Sequence, residues 1–155
     1  MVVLHLMTLL RHRKATPAEL RREQLRQARI DAPTLRQFLP AAAQVWVELM
    51  FDADTRPAQA PRLFTVYPPA QAHFVYACPF GDCDGTYDLN EAVLGMLRAR
   101  ICQTTGVLHC DGHRARRSGS GPRCGLHVAY AVDVRYGTEQ SCAPARPTPA
   151  PAPAP

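Results

Sequence analysis

The chain has 155 residues, of which 46% are hydrophobic and 20% are charged, and its formal net charge is +5. This length fits one domain, and the composition is too apolar for a wholly disordered chain. The net charge is +5 over residues 1–40, −3 over residues 41–105 and +3 over residues 106–155. An anionic partner is therefore expected to meet the two basic flanks rather than the acidic middle.

The first ten residues, MVVLHLMTLL, are apolar, but positive charges follow them, whereas in a secretory signal the charges come first. No run reaches the roughly 18 to 20 apolar residues that a bilayer-spanning helix needs. The sequence therefore predicts a cytoplasmic protein without a membrane partner, in which thiols stay reduced. An alternative is that Met7 is the true start. Six cysteines in such a compartment indicate metal or redox chemistry rather than a disulfide framework.

The N-terminal part of the chain predicts two helices. Thr16 and Glu19 have the spacing of a capping box, and Pro17 suits a first helical turn. This first helix should extend to about Ile30. A second, short helix is expected over residues 33–39, before the next proline.

Strand periodicity begins near Ala43. Apolar residues then alternate with others at Val45, Val47, Leu49 and Phe51. Residues 63–67 and 73–78 predict two more strands, which we expect to pair antiparallel across a Pro-Pro turn.

Downstream, Asp88 and Glu91 have the spacing of a second capping box, which predicts a helix from there to about Cys102. Its expected buried stripe is Leu94, Leu97 and Ile101. A final hairpin begins with GVLHCDG and returns as RCGLHVAYAVDVRY. The return strand should bury one face, formed by Leu126, Val128, Tyr130, Val132, Val134 and Tyr136.

These elements predict an α+β fold with N-terminal helices and an antiparallel sheet of about five strands, into which one helix is inserted. The expected organisation is an N-terminal helical arm at residues 1–40, an α+β domain at 41–136 and a disordered Pro/Ala-rich tail at 137–155. A domain of that size buries only about 60–65% of its unfolded surface, so a bound metal ion would add needed stability.

Four of the cysteines fall at the tips of chain reversals. Cys78 and Cys83 flank a Pro-Phe-Gly-Asp turn, while Cys110 ends one strand and Cys124 precedes the next. The tripeptide Cys-Asp-Gly occurs twice, at residues 83–85 and 110–112. A glycine at this position frees the turn, so that backbone amides can point at the thiolate. Two such tips brought together would place four thiolates in a tetrahedron, the geometry of a closed structural zinc site.

This arrangement resembles zinc-ribbon and zinc-knuckle domains over residues 74–136. The usual ribbon has two residues between paired cysteines, whereas this chain has four in the first pair and thirteen in the second. The expected cofactor is a structural Zn²⁺ held by Cys78, Cys83, Cys110 and Cys124. His113, three residues after Cys110, is an alternative ligand.

Two other interpretations of these cysteines stay open. They could be buried free thiols, because cysteine is among the most buried residue types. Cys78 and Cys83 could also form a redox pair, although such pairs are usually C-x-x-C at the start of a helix. Cys102 is expected in the core, and Cys142 is expected to be free beside the Pro/Ala tail.

Clustered arginines supply the functional hypothesis. Three share one face of the first helix, and four lie in what should be a flexible exposed loop between Cys110 and Cys124; they are Arg22, Arg26, Arg29, Arg114, Arg116, Arg117 and Arg123. Phosphate contacts depend on charge more than on exact side-chain geometry, so these residues predict an accessory protein that binds nucleic acid. Either group could instead be a solvated surface.

Two further classes of function remain as alternatives. One is a protein-interaction module in which the Pro/Ala tail or a sheet edge recruits a partner. The other is a zinc-dependent or thiol enzyme, for which the sequence gives little support. The chain has three serines, none in a nucleophile elbow, and no H-E-x-x-H motif, and no small-molecule substrate is evident.

Overall fold

The structure is a computed structural model that describes residues 14–52, 58–116 and 119–137. Within these residues the helices are α1 (Pro17–Asp31), α2 (Leu35–Phe38) and α3 (Asn90–Ala99). The strands are β1 (Ala42–Phe51), β2 (Arg62–Val66), β3 (Val75–Ala77), β4 (Thr86–Asp88), β5 (Gln103–His109), β6 (His113–Arg116), β7 (Gly119–Arg123) and β8 (His127–Tyr136).

The largest sheet has four antiparallel strands in the order β2-β1-β8-β5. Its two central strands, β1 and β8, pair over nearly their whole length, with Val47 opposite Val132. Both strands alternate apolar and other residues, and this period of two places every second side chain on the core face. Val45, Val47, Val128 and Val132 are fully buried there, which confirms the predicted inner faces of the two strands.

The remaining strands form two small antiparallel sheets, β3-β4 and β6-β7. The predicted pairing of residues 63–67 with residues 73–78 was wrong, because β2 pairs with β1 and β3 pairs with β4. The physical reason lies in the segment between β2 and β3, which follows the start of α2 instead of turning back. There the Leu35 N–H donates to the Ala70 carbonyl. Instead of the expected sheet of about five strands, the described residues form one four-stranded sheet and two separate two-stranded sheets.

The arginine-rich segment between Cys110 and Cys124 was expected to be a flexible loop, but it forms the β6-β7 hairpin. Only residues 117 and 118 of this segment lie outside the described part of the chain. The hairpin is held against the turn that joins Cys78 to Cys83, because the Ala115 N–H donates to the Asp82 carbonyl. These backbone contacts order a segment whose composition alone suggests a loop.

Helix α1 begins as predicted. Its capping box is complete, because Thr16 Oγ1 accepts the Glu19 N–H and a Glu19 carboxylate oxygen accepts the Thr16 N–H. The helix buries only Ala18 fully, so it lies on the surface of the molecule. In contrast, Leu35 of α2 and Leu39, the residue that follows this helix, are buried in the core. None of the helices in the described residues has the length and apolar character needed to cross a bilayer.

Helix α3 is shorter than predicted, and two of the three residues predicted to be its buried stripe are only half-buried. It ends at Ala99, before Arg100 takes a left-handed conformation with φ of 51°. Of the predicted stripe, Leu94 and Ile101 are only half-buried, and the side chain of Leu97 lies outside the described part of the chain. The buried residues described around α3 are Leu89, Val93 and Met96. The rotation of the helix is set by tertiary contacts at its start, where Asn90 Oδ1 accepts the Phe74 N–H.

The burial of α2 generates the first prediction. We expect Leu35→Ala to lower the free energy of unfolding by about 2–5 kcal/mol, because it leaves a cavity among fully buried neighbours. Leu20→Ala, on the exposed face of α1, is the matched control and should cost about 0.5 kcal/mol or less. Urea unfolding measures both values. Equal, small losses would mean that α2 does not belong to the core.

Candidate metal centre

The four-cysteine cluster expected from the sequence is confirmed. The Sγ atoms of Cys78, Cys83, Cys110 and Cys124 all lie within 4.8 Å of one another. The Sγ atoms of Cys83 and Cys110 are 3.6 Å apart, and those of Cys78 and Cys124 are 3.8 Å apart. Each of these contacts joins a sulfur from the first chain reversal to one from the second. The cluster could hold a metal ion at its centre.

The cluster is largely closed to solvent. Cys78, Cys83 and Cys110 are at most 4% exposed, and Cys124 is half-buried. Burial raises the pKa of Cys83 to about 12. The pKa of Cys110 is also raised, first by a hydrogen bond with Cys78 and then by burial. Without a metal ion these two thiols are therefore protonated at neutral pH, and metal binding has to release their protons.

The two Cys-Asp-Gly tripeptides build the two halves of the cluster in the same way. The Gly85 carbonyl accepts the Cys78 N–H at 3.0 Å, and the Gly112 carbonyl accepts the Cys124 N–H at 2.8 Å. The Gly85 N–H also donates to the Cys83 sulfur at 3.4 Å. The Gly112 backbone acts on Cys110 in the corresponding way, since it lowers the pKa of that thiol against the effects that raise it. Each half thus offers an amide that stabilises negative charge on sulfur.

The aspartates of the same tripeptides connect the halves reciprocally. Asp84 Oδ1 accepts the N–H of His113 at 2.6 Å, and Asp111 Oδ1 accepts the N–H of Thr86 at 3.4 Å. In each case the donor is the residue that follows the glycine of the other tripeptide. Sequence reasoning assigned no such role to these aspartates. The signal that could have revealed it was their presence in both copies of the repeat.

Both glycines are required by a close approach of the two tripeptides. A Cβ atom at Gly112 would lie 2.1 Å from the Gly85 nitrogen, and one at Gly85 would lie 2.3 Å from the Cys110 sulfur. Real side chains do not fit at such distances. The two glycines therefore allow the backbones to approach closely enough for the four sulfurs to meet.

Two arginines hold the turn between Cys78 and Cys83. The Arg22 guanidinium, from α1, donates to the carbonyls of Phe80 and Gly81 at 2.8 Å each. Arg114, from β6, donates to Asp82 at 2.7 Å and lies over the Phe80 ring at 4.0 Å from its centroid. The bond to Arg114 lowers the pKa of Asp82. Both arginines had been predicted to contact phosphate, and both have partners inside the protein.

The other predicted residues lie outside the cluster. Among the described residues the cluster consists of the cysteines alone, so His113, whose side chain is exposed, does not join it. Arg26 forms an ion pair with Glu23 on the surface of α1. Arg29 and Arg123 are exposed. The side chain of Arg116, all of Arg117 and Cys142 fall outside the described part of the chain.

Cys102 is not part of the cluster either. It is half-buried and disulfide-bonded, whereas the sequence predicted a core thiol. Because its sulfur is in a disulfide, Cys102 differs from the four cluster cysteines, all of which are free thiols.

No known protein family, curated protein or solved structure matches this chain. The resemblance to zinc ribbons and zinc knuckles therefore stays a prediction from the positions of the cysteines in the sequence. The fold and the site define a class of protein: an α+β protein with a four-cysteine cluster at the tips of two chain reversals.

The glycine contact generates the second prediction. We expect Gly112→Ala to lower the free energy of unfolding by about 1–3 kcal/mol or more, because the new methyl group would meet backbone atoms that cannot move aside. Gly81→Ala is the matched control, since a Cβ there meets nothing within 4 Å. Thermal unfolding of both variants measures the difference. An unchanged stability of Gly112→Ala would contradict the close approach.

Proposed function

We propose that the protein is a binding protein whose fold is stabilised by one structural Zn²⁺ ion, coordinated by Cys78, Cys83, Cys110 and Cys124. The observation that carries this proposal is the spacing of the sulfurs. Zinc–sulfur bonds of about 2.3 Å in a tetrahedron place the sulfurs about 3.8 Å apart. The separations of 3.6 Å between Cys83 and Cys110 and of 3.8 Å between Cys78 and Cys124 agree with that value.

The donor set also supports zinc. Soft thiolate ligands in a tetrahedral arrangement favour zinc or iron–sulfur chemistry among the common metals. In a four-iron cluster each cysteine binds a different iron, so the sulfurs would lie farther apart than around a single ion. The convergence of all four sulfurs within 4.8 Å favours one ion.

The surroundings can balance the charge of such a centre. A zinc ion with four thiolates carries a net negative charge, which has to be compensated where solvent is excluded. The pKa of Arg114 is raised, mainly by Asp82 and further by the charges of Cys124 and Cys83. Its guanidinium therefore lies close enough to stabilise a negatively charged cluster.

A structural role fits better than a catalytic one. A catalytic zinc keeps one coordination position open for water or substrate. Here four protein sulfurs lie within 4.8 Å of one another, enough to fill all four positions around one ion, and three of the cysteines are at most 4% exposed. The proposed ion would join two chain reversals that carry β3-β4 on one side and β5-β8 on the other.

The proposal predicts one zinc ion per chain in the purified protein. Single changes of Cys78, Cys83, Cys110 or Cys124 to Ser should each lower the zinc content strongly, whereas Cys102→Ser should keep it. Elemental analysis measures the metal, and thermal unfolding with and without a chelator measures its contribution to stability. A metal-free protein that folds stably, or an equal effect of Cys102→Ser, would refute the zinc centre.

Nucleic-acid binding through the β6-β7 hairpin is a second candidate function. Arg22 and Arg26 on α1, and Arg114 on β6, bond to other groups of the protein. The hypothesis of phosphate binding is therefore restricted here to the basic residues of the hairpin other than Arg114. Arg123 is exposed on β7, and the sequence adds two arginines at positions 116 and 117. Such a cluster could contact phosphates without reading the base sequence.

Salt dependence tests this second candidate. Binding of a labelled single-stranded oligonucleotide should weaken steeply as salt rises, with a logarithmic slope of about −0.7 for each phosphate contacted. Changing Arg116, Arg117 and Arg123 together to Ala should flatten this slope and lower the affinity. Arg135→Ala, at an exposed position on β8, is the control and should leave both unchanged. If the triple variant and Arg135→Ala bound the oligonucleotide identically, the hairpin would be excluded as the interface.

A further inference from the structure

Away from the cysteine cluster, a groove lies between α1 and the edge strand β2. One cavity of about 330 Å³ is lined by Arg29, His73, Tyr76 and the consecutive residues 63–66 of β2. A second cavity of about 210 Å³ lies between α1 and β3, and Arg29 lines this one as well. The larger cavity has the size of a ligand-binding pocket. The groove therefore has one wall made of strand edge and another made of arginine-rich helix.

The strand that forms the first wall is an open edge. β2 is the outermost strand of its sheet, and within the described residues no strand pairs with its outer side. Its only charged residue is Arg62 at its first position, and Leu63 is 68% exposed. Exposed edges are usually protected by charge, proline or a covering element, since they present unpaired backbone groups. An extended peptide can pair with such an edge as an added strand.

The groove also contains one buried polar atom that has no hydrogen-bond partner among the described residues. The Nε2 atom of His73 is buried and has no hydrogen-bond partner among the described residues. Burial lowers the pKa of His73, and the positive charge of Arg29 lowers it further, while Asp88 opposes these effects. This environment disfavours a second positive charge on His73, next to the Arg29 guanidinium. A carboxylate could accept hydrogen bonds from both groups at once.

The base of the groove is apolar. The rings of Phe64 and Tyr76 stack with their centroids 4.4 Å apart, and Tyr76 is almost completely buried. Strand addition combines backbone pairing, which supplies affinity, with side-chain pockets, which supply specificity. Here the pocket would receive one acidic side chain above an aromatic base.

We propose that this groove binds an acidic peptide in extended conformation, which pairs with residues 62–66 of β2 and places a carboxylate between Arg29 and the Nε2 atom of His73. This inference goes beyond the zinc centre and does not depend on it. A second copy of the chain is disfavoured as occupant, because β2 has no acidic residue that could lie between Arg29 and His73. A nucleic acid would use the arginine but has no means of pairing with a strand edge.

The test uses the full chain and two labelled peptides, acetylated and amidated at their ends. One has the sequence Thr-Val-Thr-Glu-Thr-Val-Thr, and the other carries Gln in place of Glu. We expect the Glu peptide to bind about fivefold more tightly by fluorescence anisotropy, since it gains a charged hydrogen bond. Arg29→Gln should bring the two affinities together, whereas the control Arg135→Gln should preserve their difference.

Backbone amide signals supply the second readout. In nuclear magnetic resonance spectra the peptide should shift and protect amides of residues 62–66, and leave those of the other sheet edge, β5, unchanged. Absence of binding at millimolar peptide, equal affinity for the two peptides, or shifts confined to β5 would overturn the proposal. So would a dimer that pairs β2 with β2, or an oligonucleotide that needs Arg29 while the peptides do not bind.

Discussion

The contact between Gly85 and Gly112 is the constraint on which the candidate metal centre depends. Each glycine belongs to a Cys-Asp-Gly tripeptide, and the two backbones meet where no side chain would fit. This close approach places the four sulfurs around one point, although the two chain reversals are far apart in the sequence. Reciprocal bonds from Asp84 and Asp111 then fix the relative orientation of the two halves. Geometry suited to a single ion therefore arises from backbone packing as well as from the cysteines themselves.

The arginines show how position changes the role of a side chain. From the sequence, Arg22 and Arg29 were placed on one face of the first helix, and both were predicted to contact phosphate. In the structure, Arg22 donates to the carbonyls of the turn between Cys78 and Cys83. Arg29, two turns later, lines the groove beside β2. Since α1 buries little apolar surface, the bonds of Arg22 help to position the helix that forms one wall of the groove.

Where local patterns decide structure, the sequence was a reliable guide. The capping box at Thr16 and the alternation along β1 and β8 predicted those elements correctly, because each depends on residues a few positions apart. The four-cysteine cluster was also predictable, since both pairs lie at turns and share a repeated tripeptide. The partner of β3 and the burial of Val93 and Met96 on α3 were not. Both are set by contacts with distant segments, such as the bond from Phe74 to Asn90.

By itself, the sequence determined an α+β protein whose cysteines at residues 78, 83, 110 and 124 form one cluster. Only the tertiary structure decided which arginines have internal partners, and that β6 (His113–Arg116) pairs with β7 (Gly119–Arg123). It also revealed the groove between Arg29 and the edge of β2. The physical reason is that capping and alternation act over a few residues, whereas these features arise from contacts between segments that composition and spacing do not connect.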